Sequence, residues 1–241
     1  MFIRFLRYNS CTTIEIMKKS IIFDLDGTLI DSKFQIAFNI NSARTEFGFD
    51  PLSDDKIYEI IGLPPEYFLK DLILSESKKQ QLINSFRQKL LKDKSPVRIF
   101  PFVVELLKYL KQNKYMLGIA TTKPTYMAES AINNSELNGY FDCIQGTDDF
   151  LPKPDPTVIL KCQSKLKSHE SIMIGDRIED IEAAKAAQVF SIGVAQGHHT
   201  KELLMKHGAN DAVDNMLELF NKLNDQNFMK YLNLNSPSPA E

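Results

Sequence analysis

Apolar residues run without a break through Ile21, Ile22 and Phe23 and stop at Asp24. A short unbroken run with β-branched members suits a strand covered on both faces, where no side needs to be polar. The same signature recurs at Met116–Ala120, Ser171–Ile174 and Phe190–Val194. Between these runs the period lengthens. Val103, Leu106, Leu107 and Leu110 share one face of a helix over Phe102–Gln112, and the small residues of Asp180–Ala187 suit a helix packed closely on a sheet. Strands alternating with helices predict an α/β fold: a Rossmann-like, three-layer core with a parallel sheet and helices on both faces.

The alternation breaks once. Residues 33–95 hold no buried strand pattern but show helical spacing near Phe34–Phe47, Asp54–Ile60, Glu66–Leu72 and Lys78–Lys94, with turn signals at Asp50-Pro51 and Gly62-Leu63-Pro64-Pro65. A helical domain inserted after the first strand is expected, the chain rejoining the core near Phe100-Pro101. The predicted organisation is a core of residues 17–32 and 97–228, a helical cap at 33–96 and a flexible, proline-containing tail at 229–241. Residues 1–16 read as an extension outside the native protein or loosely ordered, because Met17-Lys-Lys-Ser leads straight into the first strand.

Composition narrows the partners. With 43% apolar and 25% charged residues the chain reads as globular, and a formal net charge of −2 gives no global attraction to nucleic acid or an acidic membrane surface. Anion binding must then be local. No apolar run approaches the roughly 20 residues of a membrane-spanning helix. The three cysteines, Cys11, Cys143 and Cys162, form no C-x-x-C pair, so neither a disulfide framework nor a zinc site is expected and a cytoplasmic location is.

The segment Asp24-Leu25-Asp26-Gly27-Thr28-Leu29 sits at the carboxyl end of the first predicted strand, the edge where open α/β sheets bind ligands. Two carboxylates two residues apart, on a turn opened by glycine, can converge on one divalent cation or share acid–base work.

Further signals follow in order. Thr121 ends the Met116–Ala120 run, Lys153 lies within Leu-Pro-Lys-Pro-Asp-Pro, and Gly175-Asp176-Arg177-Ile178-Glu179-Asp180 closes the Ser171–Ile174 run. Together with Asp-Leu-Asp-Gly-Thr-Leu-Ile-Asp-Ser at 24–32, they make the chain resemble the haloacid dehalogenase superfamily over roughly Lys18–Leu223. The resemblance implies a phosphoric monoester hydrolase in which Asp24 is the nucleophile and forms an aspartyl-phosphate, while Asp26 moves protons to and from the leaving group and water. Thr121 and Lys153 complete the catalytic set. It also implies phosphate contacts from Leu25, Asp26, Thr121, Thr122 and Lys153. Mg²⁺ is implied on Asp24, the Asp26 backbone carbonyl and Asp176, with Asp180 in support.

Within the superfamily the insertion resembles a C1-type cap, and four segments resemble the phosphoglycolate phosphatase branch. They are Ile119–Pro124 (with Thr122 in place of the usual Asn), Ile61–Pro64, and the pair Gln196-Gly197-His198 and Gly208–Ala212. A small phosphorylated metabolite is the implied partner, phosphoglycolate-like or a sugar phosphate, with no nucleic acid and no membrane. Monomer and dimer both stay open. A β-phosphoglucomutase-like phosphotransferase is the first alternative, but those enzymes carry a cap histidine where Ile36 stands, and residues 33–95 contain none. A non-catalytic phosphometabolite-binding protein is the second. Retention of Asp24, Asp26, Thr121, Lys153 and Asp176 weighs against it. Arg177 either reaches substrate or pairs with a surface acid, the second being the expectation, and His198 and His199 are expected to lie on a surface loop.

Overall fold

In the computed structural model, which describes residues 19–168 and 170–225, β1 (Lys19–Phe23) lies inside an all-parallel six-stranded sheet. The other strands are β2 (Met116–Ala120), β3 (Cys143–Gln145), β4 (Glu170–Gly175), β5 (Phe190–Val194) and β6 (Asp211–Val213), in the order β3-β2-β1-β4-β5-β6. The four apolar runs of the sequence are β1, β2, β4 and β5. The edge strands β3 and β6 have three residues each, too few to make a hydrophobic run, and only pairing with a longer neighbour defines them. The expected extension at 1–16 and tail at 229–241 lie outside the described residues.

The strand period of two sorts β1 between two cores. Ile21 and Phe23 pack with Leu106, Leu107 and Leu110 of α4 (Val103–Gln112) and with Met216, Leu219 and Leu223 of α9 (Met216–Asn224). Ile22 points the other way, to Val158, Ile159 and Cys162 of α6 (Thr157–Leu166) and Ala183 and Ala184 of α7 (Ile178–Ala186). Helices therefore cover both faces, which is why the strand sequences carry no polar side. Two further helices, α5 (Thr125–Asn133) and α8 (Lys201–Lys206), complete the crossovers.

Between β1 and α4 the chain leaves the sheet to build α1 (Lys33–Glu46), α2 (Asp54–Ile60), a 3₁₀ turn (Pro65–Leu69) and α3 (Glu76–Lys92). The outgoing and returning segments run side by side: Ile30 bridges Ile99 antiparallel, and the Asp31 N–H donates to the Arg98 carbonyl at 2.8 Å. The insertion has its own core, in which Ile36, Ile40, Ile57, Phe68, Leu82 and Ile83 meet.

Arg44 of α1 stands inside that core at 2% exposure. Its guanidinium donates to the Asp50 carbonyl (2.8 Å) and the Phe68 carbonyl (2.7 Å) and forks onto Asp71 at 2.9 and 2.7 Å. A buried cation is tolerable only with such full satisfaction. It ties α1 to both the loop before α2 and the 3₁₀ turn. Arg44→Ala should cost about 3 kcal/mol by leaving the Phe68 carbonyl dry and unpaired, read as a lower urea midpoint. Arg44→Lys should recover only part of the loss, because an ammonium cannot reproduce the fork.

Candidate active site

β1 and β4 are neighbours, and the pairing continues one residue past β1, where the Asp24 N–H donates to the Ile174 carbonyl at 2.8 Å. Asp24 and Asp176 thus emerge from the same sheet edge, each just beyond its strand. The chain adds β2 and β3 on one side of β1 and β4 to β6 on the other, so this edge is where the winding reverses and a crevice opens. Thr121 leaves β2 beside it. Helix α7 begins two residues before the expected Asp180, which puts Asp180 in the first turn, facing back to the sheet. One Asp180 oxygen accepts from the Arg177 backbone N–H at 3.0 Å, a helix-start device, and the other meets Lys153.

Asp24, Asp176 and Asp180 are all buried and bring carboxylate oxygens within 4.8 Å of one another. The Lys153 ammonium donates to Asp24 Oδ1 at 2.6 Å, to Asp180 Oδ1, and to the Ala120 carbonyl at 3.0 Å. Thr28 donates its hydroxyl to Asp176 Oδ1 at 2.7 Å. Gly27 (φ +92°) and Gly197 press on the same carboxylate, and a Cβ at either would run into Asp176. The resulting orientation is fixed from three sides.

One ammonium does not balance three buried carboxylates. Burial pushes the Asp24 carboxyl up to about 7 against the pull of Lys153. Burial, with the charges of Asp180 and Asp24, holds Asp176 well above the ordinary carboxylate range. Burial opposes the Lys153 charge too, but Asp180 and Asp24 outweigh it and raise that group above the lysine range. The cluster is short of positive charge, and its donors are hard carboxylate oxygens, so it fits a divalent cation such as Mg²⁺.

Asp26 points elsewhere. Both its oxygens lie 2.9 Å from the Lys123 ammonium, and with Thr121, Thr122 and Lys123 it lines a cleft roofed by the insertion. The Leu25 side chain belongs to the core, which leaves only its backbone to face a ligand. Among the described residues the N–H groups of Leu25, Asp26 and Thr122 find no internal carbonyl, an arrangement suited to an anion. Lys123 and Thr28 escape a residue-by-residue reading of the sequence. Lys123 follows Thr122 in the Thr-Thr-Lys-Pro segment, and its partner Asp26 is 97 residues away.

Residues 21–194 match the sequence profile described as haloacid dehalogenase-like hydrolase. The chain belongs to the haloacid dehalogenase-like hydrolases. Similar proteins in this family include the probable phosphatase IndB of Dickeya dadantii (strain 3937), 32% identical across 84% of this chain and 92% of that protein. Phosphoglycolate phosphatase 1 of Pseudomonas aeruginosa is 26% identical across 84% and 79%. Among solved structures, a putative haloacid dehalogenase-like hydrolase from Bacteroides fragilis superposes with a TM-score of 0.77 at 26% identity, over 84% of this chain and 99% of the other.

In this hydrolase Arg177 does not take the surface position expected of it. It is buried, and although it pairs with Glu179 at 3.0 Å, its guanidinium also crosses to the insertion, donating to the Ile61 carbonyl at 2.7 Å and the Glu59 carbonyl at 3.4 Å. A hydrogen-bond reach of 116 residues leaves no trace in local sequence. His198 and His199 are likewise half-buried. The His199 ring nitrogen accepts from the Ile178 N–H at 3.2 Å, the His199 backbone N–H donates to the Asp176 carbonyl, and burial beside Arg177 and His199 pushes His198 down to about 4.

Arg177 therefore links the residue after Asp176 to the end of α2. Arg177→Ser should leave the sheet intact but free residues 59–62, raising amide exchange there about ten- to a hundred-fold, as expected for lost hydrogen bonds to a charged group. Exchange in β1 and β4 should not change in the same measurement.

Proposed function

We propose that this hydrolase is a Mg²⁺-dependent phosphatase of small phosphate monoesters that works through an aspartyl-phosphate on Asp24. The buried Asp24–Lys153–Asp180–Asp176 cluster beneath a cleft lined by Asp26 carries the reading. The Asp24 carboxylate attacks phosphorus as the bond to the leaving oxygen breaks, and Asp26 gives that oxygen its proton. Water then attacks the acyl phosphate, Asp26 takes the proton, and phosphate leaves with Asp24 restored. Lys153, the Thr121 hydroxyl and the N–H groups of Leu25, Asp26 and Thr122 hold the phosphoryl oxygens and oppose their charge. Lys123 positions Asp26.

Mg²⁺ would be held by Asp24, Asp176 and the Asp26 carbonyl, with Asp180 in support, and supplies the positive charge that lets these acids face a phosphate dianion. The insertion serves as a cap that excludes water over the cleft. The names of the similar proteins point to phosphoglycolate-like substrates, with sugar phosphates as the neighbouring class. Ile36 lines the cleft where a mutase would carry its histidine, which disfavours phosphoryl transfer to sugar. Cys143 and Cys162 are free thiols, which suits the cytoplasm, and no helix among the described residues is long and apolar enough to cross a membrane.

Release of inorganic phosphate from p-nitrophenyl phosphate and phosphoglycolate should require Mg²⁺ and stop with chelator. Asp24→Asn should abolish it, and retained turnover would refute the covalent route. Asp26→Ala should slow it at least about 100-fold. Independently of turnover, Mg²⁺ at about 100 times its Kd should stabilise the fold by about 2.7 kcal/mol in thermal unfolding. Asp176→Asn should remove most of that shift.

A further inference from the structure

The cleft above Asp26 has an uneven chemistry. Its phosphoryl end carries the polar groups Asp26, Thr121, Thr122 and Lys123. Beyond them the walls are apolar, with Ile36, Ile40, Leu63, Phe68, Phe86 and Met127 among them. Asp26 and Lys123 already satisfy each other. One further charged side chain reaches the lining, Arg87 of α3, which is half-buried and forms no hydrogen bond or ion pair among the described residues.

The apolar side chains of these walls offer no hydrogen-bond partners for a polyol. Each sugar hydroxyl drawn into the cleft would lose water and meet a methyl group or a ring. Glycolate fails differently, because its single methylene would leave most of the apolar wall uncovered. An apolar carbon skeleton covers that wall, and an anionic group carried on it can meet Arg87, whose planar fork suits a carboxylate.

We propose that the preferred substrate is a phosphate monoester of an apolar, ring-sized alcohol bearing a carboxylate remote from the phosphate, and that Arg87 is the residue that selects the carboxylate. This rests on the phosphatase reading above and narrows it away from sugar phosphates and phosphoglycolate. Arg87 acts on binding and takes no part in the bond-breaking steps.

The test uses primary alkyl phosphates, so that the leaving groups are alike: 4-carboxybenzyl phosphate, benzyl phosphate, phosphoglycolate and glucose 6-phosphate, each with Mg²⁺, beside p-nitrophenyl phosphate. The wild type should favour 4-carboxybenzyl phosphate over phosphoglycolate and glucose 6-phosphate by at least about ten-fold in kcat/KM. Arg87→Met keeps the packing but removes the charge. It should raise KM for the carboxybenzyl ester about ten-fold or more with kcat nearly constant, leave benzyl phosphate unchanged, and be partly rescued by Arg87→Lys. Equal or better turnover of phosphoglycolate or glucose 6-phosphate would overturn the proposal, as would an Arg87→Met loss shared by both benzyl esters. Failure of the underlying reading looks different, since then no ester, p-nitrophenyl phosphate included, releases phosphate.

Discussion

Three buried carboxylates, Asp24, Asp176 and Asp180, are held against the single ammonium of Lys153, and that imbalance of charge governs the surrounding structure. Carboxylates crowded in a dry site repel one another and resist ionisation, so each needs a fixed partner or a cation. The neighbourhood is built to that demand. Thr28 and two glycines orient Asp176, the Arg177 N–H fixes Asp180, and Lys153 spans from Asp24 to Asp180 while anchored on the Ala120 carbonyl. A site prepared this way for positive charge is also prepared for a dianionic phosphoryl group once that charge is supplied.

The parallel sheet is what makes the crowding possible. Neighbouring parallel strands end at the same edge, so β2, β1 and β4 deliver Thr121, Asp24 and Asp176 side by side without any long side chain having to reach. Long-range placement falls to two cations with different tasks. Lys153 neutralises inside the cluster, whereas Lys123 holds Asp26 away from it, facing the cleft. The two acids of one Asp-x-Asp pair, both buried, thereby receive different partners, Lys153 for Asp24 and Lys123 for Asp26.

The insertion contributes the other half of the cleft and is not an independent attachment. It returns to the core through paired segments at Ile30 and Ile99, and Arg177 joins the loop after Asp176 to the carbonyls that end α2. Any movement of the insertion is thus felt one residue from the acid cluster. The apolar lining it supplies explains why residues such as Ile36 and Phe68 are shared between its own core and the cleft.

By itself the sequence determined the central strands, the alternation that makes the core α/β and the acid positions at strand ends. Unbroken apolar runs report burial on both faces, and the residue after such a run must lie at a sheet edge. Strands of three residues, β3 and β6, carry too little pattern to be read this way, and sheet order appears only when the strands pair. Arg177 shows the limit most clearly. As a lone basic residue among acids it reads as surface, because local sequence records neighbours along the chain and not the carbonyl 116 residues away that buries it. The pairing of Asp26 with Lys123, the lack of a partner for Arg87 among the described residues and the apolar character of the cleft were likewise decided by tertiary structure alone. Each depends on which side chains face one another across the gap between core and insertion, and that distance is set by packing rather than by any local periodicity.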